Sequence, residues 1–379
     1  MSFDIKAALE HLSARQGSDL HVKVGSPPMI RVDGELEPIP GLEPLKPVDT
    51  EMAVGEILRD PSRVEELRRD GELDFGFSVP GLARFRVNVF QQRGSMSIVC
   101  RRIPYGITSI QELGLPDVVR QLAEEPRGIV IVTGTTGSGK STTLAAMVDH
   151  INRTVARHIV TVEDPIEFLH SDNRSIINQR EIGTDTGSFD RALRRVLRQD
   201  PDVILIGEMR DQETVATALS AAETGHLVFS TLHTADAGEA INRIIDFFPP
   251  YQQGQVRSML ASTLRGIISQ RLVPAAGGGR VAALEVLRTT GRVRDAILGT
   301  GAAGELTEII SEGSYYGMQT FDQALFEFVR SERISREAAM AFCSSPQDFK
   351  LLLAAEGQTR ATLPEPASAE SATTEPAIL

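Results

Sequence analysis

The stretch Gly134-Thr135-Thr136-Gly137-Ser138-Gly139-Lys140-Ser141 constrains this chain more than any other. It fits the phosphate-binding loop pattern G-x-x-x-x-G-K-[ST] at every fixed position. Before it runs the apolar Ile129-Val130-Ile131-Val132, a buried strand by its pattern; after it Thr142 to Ile151 reads as a helix. Glycines let the backbone curl so that its N–H groups point at phosphate oxygens, and the helix N-terminus adds a partial positive charge. Lys140 then reaches the β- and γ-phosphates, and Ser141 supplies a hydroxyl for Mg²⁺. Gly134, Thr135, Thr136, Gly137, Ser138, Gly139, Lys140, Ser141 and Thr142 are therefore the candidate nucleotide contacts. The bland alternative, a glycine-rich turn without chemistry, is disfavoured by the strand before and the helix after. A chain with this loop is expected to bind a nucleoside triphosphate.

The 379 residues are enough for two or three domains, each burying its own core. No run of about 18 apolar residues occurs, so no membrane span or direct membrane insertion is expected. Met1 to Lys6 lacks the basic start and apolar core of a signal peptide. The two cysteines, Cys100 and Cys343, are far apart and outside any metal-ligand spacing, which fits free thiols in a reducing cytoplasm. A formal net charge of −12 argues against nucleic acid as the main partner.

Residues 1–104 read as one small α/β domain. A helix from Asp4 to Gln16 leads into the alternating strand Asp19 to Val24, and Pro27-Pro28 and Asp33-Gly34 mark turns. Further on, Phe85, Val87 and Val89 alternate with Arg84, Arg86 and Asn88, a half-buried strand whose hairpin partner carries Met96, Ile98 and Cys100. Residues 105–117 read as a linker. From 118 to 290 strands and helices alternate, the pattern of a parallel α/β sheet. Residues 291–356 read as helical: Thr320 to Gln323 forms a capping box, with Ala324, Leu325, Phe328 and Val329 on the apolar side, and Ser335 caps another helix. Residues 357–379, rich in Pro, Ala, Ser, Thr and Glu, are expected to be a disordered tail.

Four apolar runs in the α/β region end in groups suited to phosphate chemistry. The first ends in the phosphate loop. Ile159 to Val162 ends in Glu163-Asp164-Pro165-Ile166-Glu167, Val203 to Ile206 in Gly207-Glu208-Met209-Arg210-Asp211, and Leu227 to Phe229 in Ser230-Thr231-Leu232-His233. Open parallel sheets bind ligands at the carboxyl ends of their strands, so these groups are expected to converge. Hydrolysis needs a carboxylate to orient water and take its proton, and Glu163 is the candidate base; a strand-end cap or salt-bridge partner is the alternative. Glu208 is the candidate carboxylate on the metal side, alongside Ser141. It departs from the usual Walker B form, which has Asp where Gly207 stands. Asp202, at the start of its strand, reads as structural. His226 and His233 lack zinc spacing. His233 is open between an ordinary packed histidine and a sensor of the γ-phosphate. Arg191, Arg194, Arg195 and Arg198 stripe one helix; a solvated or salt-bridged face is the favoured reading and a subunit interface the alternative.

Taken together, these stretches resemble the secretion ATPase superfamily and, within it, the type IV pilus retraction ATPases. The resemblance spans nearly the whole chain outside the tail. It is carried by the phosphate loop, an Asp box at Thr161 to Glu167, a Walker B stretch from Arg198 to Asp211 and a His box from Ala222 to Thr234. Ser18 to His21, Arg84 to Asn88 and Gly317 to Phe321 also match. It implies a RecA-like P-loop NTPase core with an N-terminal PAS-like α/β domain and a C-terminal helical region. It further implies ATP and Mg²⁺ as cofactors, a ring of six copies, a pilus platform protein of the inner membrane as partner, and work at the inner face of that membrane. It implies that the Asp-box glutamate activates water, which agrees with Glu163, and that the Walker B glutamate supports Mg²⁺, which agrees with Glu208. Arginines of the N-terminal strands reach the nucleotide across domains or subunits in this family, and the matching positions are Arg84, Arg86 and Arg101.

One stretch departs from the family. Retraction ATPases carry Ala-Ile-Arg-Asn-Leu-Ile-Arg-Glu in the C-terminal helical region, whereas this chain has Arg292-Val293-Arg294-Asp295-Ala296-Ile297-Leu298-Gly299. Only Arg294 and Ile297 are unchanged, which bears on coupling rather than hydrolysis. An accessory retraction ATPase working beside a second one, and a non-hydrolysing regulator of a partner motor, are the readings this stretch motivates. A pilus-assembly or secretion ATPase is disfavoured, because such relatives carry a four-cysteine zinc module absent from this sequence.

Overall fold

The computed structural model describes residues 3–103, 106–299 and 303–362. Among the described residues thirteen strands build two sheets. The first holds β1 (Asp19–Lys23), β2 (Met29–Val32), β3 (Glu35–Pro38), β4 (Glu72–Val79), β5 (Ala83–Gln92) and β6 (Ser95–Ile103), in the order β3-β2-β1-β6-β5-β4. Its pairings are antiparallel throughout. The alternation read in β5 sets its two faces: Phe85, Val87 and Val89 are fully buried, while Arg86 is exposed. That apolar face packs with Ile5, Leu9 and Leu12 of the helix Ile5–Ala14 and with Ala53, Val54 and Ile57 of the helix Pro47–Ile57. Asp4 starts the first helix by accepting from the Lys6 and Ala7 amides.

The second sheet holds β7 (Gly128–Thr133), β8 (His158–Glu163), β9 (Ile176–Glu181), β10 (Val203–Ile206), β11 (Leu227–Leu232), β12 (Leu264–Pro274) and β13 (Arg280–Arg288), in the order β13-β12-β7-β11-β10-β8-β9. All neighbours are parallel except β13 against β12. Every residue of β7, β10 and β11 is buried, as a sheet covered on both faces requires. Ile129, Ile131, Val160, Val162, Ile204 and Ile206 face the helices Gln212–Glu223, Ala237–Asp246 and Pro250–Thr263. Val130, Val132, Ile159, Val203 and Leu205 face the helices Asp117–Ala123 and Lys140–Thr154. The four apolar runs of the sequence are β7, β8, β10 and β11; the three further strands flank them.

The helical region divides between two cores. Val293, Ile297, Leu306 and Ile309 join the core of the parallel sheet, whereas Phe321, Leu325, Ala339 and Phe349 form a separate cluster against β12 and β13. The capping box forms as read: Gln323 N–H donates to Thr320 Oγ1 at 3.2 Å and Thr320 N–H to Gln323 Oε1 at 2.9 Å. Ser335 caps the helix Arg336–Phe342 through the Ala338 amide. The last helix is Pro346–Thr362, so its backbone runs on through residues 357–362, where the sequence reading begins the tail. Residues 363–379 lie outside the described residues. Among the described residues no helix is long and apolar enough to cross a membrane.

Candidate nucleotide site

The loop after β7 turns on three glycines of positive φ: Gly134 at 142°, Gly137 at 79° and Gly139 at 91°. Two of them also need to lack a Cβ. At Gly139 it would lie 2.6 Å from Gln270 Nε2, and at Gly134 2.5 Å from the Gln270 carbonyl oxygen. Strand β12 thus presses on the loop from behind. Thr143 Oγ1 donates to Gln270 Oε1 at 2.7 Å, and Thr133 Oγ1 to Ser269 Oγ at 3.0 Å. Lys140, 8 % exposed, donates from Nζ to the Gly134 and Thr135 carbonyls at 2.7 and 3.1 Å. Burial lowers the pKa of its ammonium, and the negative charges of Glu208 and Glu167 oppose that shift. Ser138 Oγ is buried with no hydrogen-bond partner, a free hydroxyl within a cradle of glycines. Curled backbone, buried cation and unspent donor all suit an anion, so the residues present fit a bound polyphosphate.

A cleft of about 430 Å³ opens over this loop. Thr136, Gly137, Gly139, Lys140, Ser141 and Thr142 line it, and so do Glu163, Glu208 and His233 from the ends of β8, β10 and β11. The carboxyl ends of four neighbouring parallel strands meet here, as their register demands. Glu163 accepts at Oε1 from Thr161 Oγ1 at 2.6 Å and from Gln179 Nε2 at 3.3 Å, and at Oε2 from the Glu167 amide at 3.4 Å. Burial outweighs these bonds and pushes its carboxyl above the usual range. Glu208 behaves oppositely. Burial raises it, but Arg210 at 2.9 Å and His233 at 3.4 Å hold it below the ordinary value. Two carboxylates of one cleft are therefore set apart, the pattern of an acid–base division of labour. Gly207 explains itself here: a Cβ would come within 3.3 Å of Glu163 Cα, so glycine lets the ends of β8 and β10 close up. Ser141 and Glu208 share the cleft, and a hydroxyl with a carboxylate is a hard-oxygen donor set that fits Mg²⁺.

The three arginines named in the sequence do not line this cleft. Arg84 Nη2 pairs with Glu181 Oε2 at 2.7 Å, and Arg101 Nε with Asp19 Oδ1 at 2.8 Å. Arg86 stands opposite Arg101 in the β5–β6 register. Of the histidines, His233 lies at the site, whereas His226 Nδ1 faces the Ala221 carbonyl at the end of its helix. In the arginine stripe Arg194 pairs with Asp190 and Glu213. Asp202 accepts from the His158 amide at 2.8 Å, a structural bond between β10 and β8.

A family model described as type II/IV secretion system protein matches residues 4–298. The chain belongs to this family. A Pseudomonas aeruginosa protein named type IV pilus retractation ATPase PilT is 48 % identical over 338 residues, covering 89 % of this chain and 97 % of its own. The type IV pilus ATPase PilU of the same organism is 41 % identical, covering 92 % of this chain and 91 % of its own. Among solved structures, the pilus retraction motor PilT with bound ADP superposes at a TM-score of 0.85 with 43 % identity, covering 92 % of this chain and 99 % of its own.

This member of the type II/IV secretion family carries site residues that sequence reasoning passed over. Arg210, two residues after Glu208, pairs with its carboxylate at 2.9 Å. Gln179, which holds Glu163, and Gln270, which backs the loop, come from β9 and β12, strands without a continuous apolar run. Arg280 and His170 also line the cleft. His170 is lowered to about 4 by burial, so it is neutral near pH 7.

Proposed function

We propose that this chain is an ATPase that powers type IV pilus retraction, as a ring of six copies at the inner face of the cytoplasmic membrane. The observation that carries the reading is the single cleft in which the phosphate loop meets Glu163 and Glu208, in a chain that is 48 % identical to a pilus retraction ATPase. Lys140 exchanges its loop carbonyls for the β- and γ-phosphates. Glu163 orients the attacking water and takes its proton, and its raised pKa makes it the stronger base. Thr161 and Gln179 fix Oε1, so Oε2 is the less committed oxygen and faces this task. When bound, Mg²⁺ neutralises phosphate charge, with the Ser141 hydroxyl and the Glu208 carboxylate as its protein-side oxygens. Arg210 and His233 keep Glu208 ionised, and through that contact His233 senses the γ-phosphate. Arg86 and Arg101, on an exposed strand face, serve a neighbouring copy's nucleotide. The pilus platform protein of the inner membrane is the partner.

The 292–299 stretch favours a second reading, an accessory retraction ATPase acting with another motor. Lys140→Ala and Glu163→Gln are expected to abolish turnover, with at least about a 10²-fold loss for Glu163→Gln. Full activity in both overturns the hydrolytic reading. A deletion strain with excess surface pili supports retraction, and one without pili makes the protein an assembly motor. Twitching that persists in the deletion strain and stops when a second motor is also removed supports the accessory role.

A further inference from the structure

We propose that Glu181 is a positioning residue that ties the N-terminal sheet to the segment carrying Glu163; the proposal rests on the reading of Glu163 as the hydrolytic base. Glu181 ends β9, and its side chain is 2 % exposed. It accepts four hydrogen bonds. Oε2 takes Arg84 Nη2 at 2.7 Å and the Ile166 amide at 3.1 Å, while Oε1 takes the Gly76 amide and Thr184 Oγ1, each at 3.2 Å. Arg84 and Gly76 belong to β5 and β4 of the first sheet, and Ile166 lies in the Asp box three residues after Glu163. Gly76 is part of the design: a Cβ there would lie 2.8 Å from Glu181 Oε1 and collide with the Arg84 guanidinium. Arg63 adds a weaker tie, to Thr184 Oγ1 at 3.4 Å.

The same face of β9 grips the rest of the segment. Gln179, two residues earlier, donates to Glu163 Oε1 and to the Phe168 carbonyl at 2.7 Å, and accepts from the His170 amide at 2.9 Å. Ile182 N–H donates to the Glu163 carbonyl at 2.9 Å. The segment 163–170 is thus clasped by one strand end, and Glu181 extends that clasp to the other sheet. A carboxylate this buried needs a cation, and Arg84, 15 % exposed, supplies it. Withdrawing Arg84 leaves an uncompensated charge that must shift toward water, and the Ile166 amide then loses its acceptor. The position of the first sheet therefore sets how firmly Glu163 is presented, and Arg84 acts through Glu181 rather than by touching nucleotide.

The test compares full-length wild type, Arg84→Gln, Arg84→Lys, Glu181→Gln and the double Gln variant. Amide hydrogen exchange of residues 163–170 in Arg84→Gln should quicken on the order of tenfold, although the altered residue lies on another sheet. The kcat should fall about 10- to 100-fold, with KM for ATP and ADP affinity unchanged, because the phosphate loop is untouched. Arg84→Lys should recover part of both, and the double variant should be no slower than Glu181→Gln. Unchanged exchange in Arg84→Gln, or losses that add in the double variant, overturns the proposal. If Arg84→Gln does not fold, Glu181→Gln carries the same exchange measurement, and retained protection at Ile166 overturns it. Exchange is read without turnover, so a wild type that fails to hydrolyse ATP overturns the Glu163 reading while leaving this tie to its own measurement.

Discussion

Glu163 shows what a strand end does to a single side chain. Burial raises its pKa, and the bonds from Thr161, Gln179 and Glu167 only partly offset that. A base works deprotonated, so a raised pKa moves the loss of activity to higher pH. The acid limb of the kcat profile is therefore expected at a midpoint above the ordinary glutamate value of 4.5. Steady-state turnover between about pH 4.5 and 8 checks it, and full activity down to the ordinary glutamate range contradicts it. The residue scale is also where the sequence was most legible. A loop motif is local, and the strand ends alone were enough to bring Lys140, Ser141, Glu163 and Glu208 to one cleft. The partners of Gly207 and Arg84 were illegible for the opposite reason, since each is a neighbour distant along the chain.

At the scale of elements, β12 and β13 matter more than their sequence suggests. β12 backs the phosphate loop through Ser269 and Gln270, and Glu285 of β13 accepts from the Ala237 amide at the start of the helix after His233. Burial pushes Glu285 up to about 7, aided by Asp236 and Asp322 and opposed by the Ala237 amide and Arg271. The folded protein thus holds this proton more tightly than the unfolded chain. The resulting stability is fully present below about pH 4.5 and is lost as pH rises through about 7, for a change of about 3 kcal/mol. Glu285→Gln should flatten the melting temperature between pH 5 and 8 relative to wild type. Equal pH slopes in the two proteins contradict it. Continuous apolar runs made β7, β8, β10 and β11 readable. β9 mixes Asn178, Gln179, Arg180 and Glu181 into an edge strand because those side chains work against other elements rather than fill a core.

At the scale of the whole molecule, two sheets with separate cores are joined by the buried Arg84–Glu181 pair. A nucleotide that occupies the phosphate loop would recognise the folded chain and not the unfolded one. ADP at a hundredfold excess over its Kd should therefore add about 2.7 kcal/mol and raise the melting temperature. Lys140→Ala should lose most of that rise while melting near the wild-type temperature without ligand. An equal ADP shift in both proteins would place the nucleotide elsewhere.

The sequence by itself determined the phosphate loop, the four core strands with their polar ends and the helix caps, because each depends on residues within a few positions of one another. Only the tertiary structure decided the flanking strands, the backing of the loop by Gln270 and the capture of Arg84 by Glu181. Those partners stand 127 and 97 residues apart in the chain. Local periodicity states which face of a strand or helix is buried, but which polar groups share that burial is settled by packing, when a charge removed from water must find its counterpart.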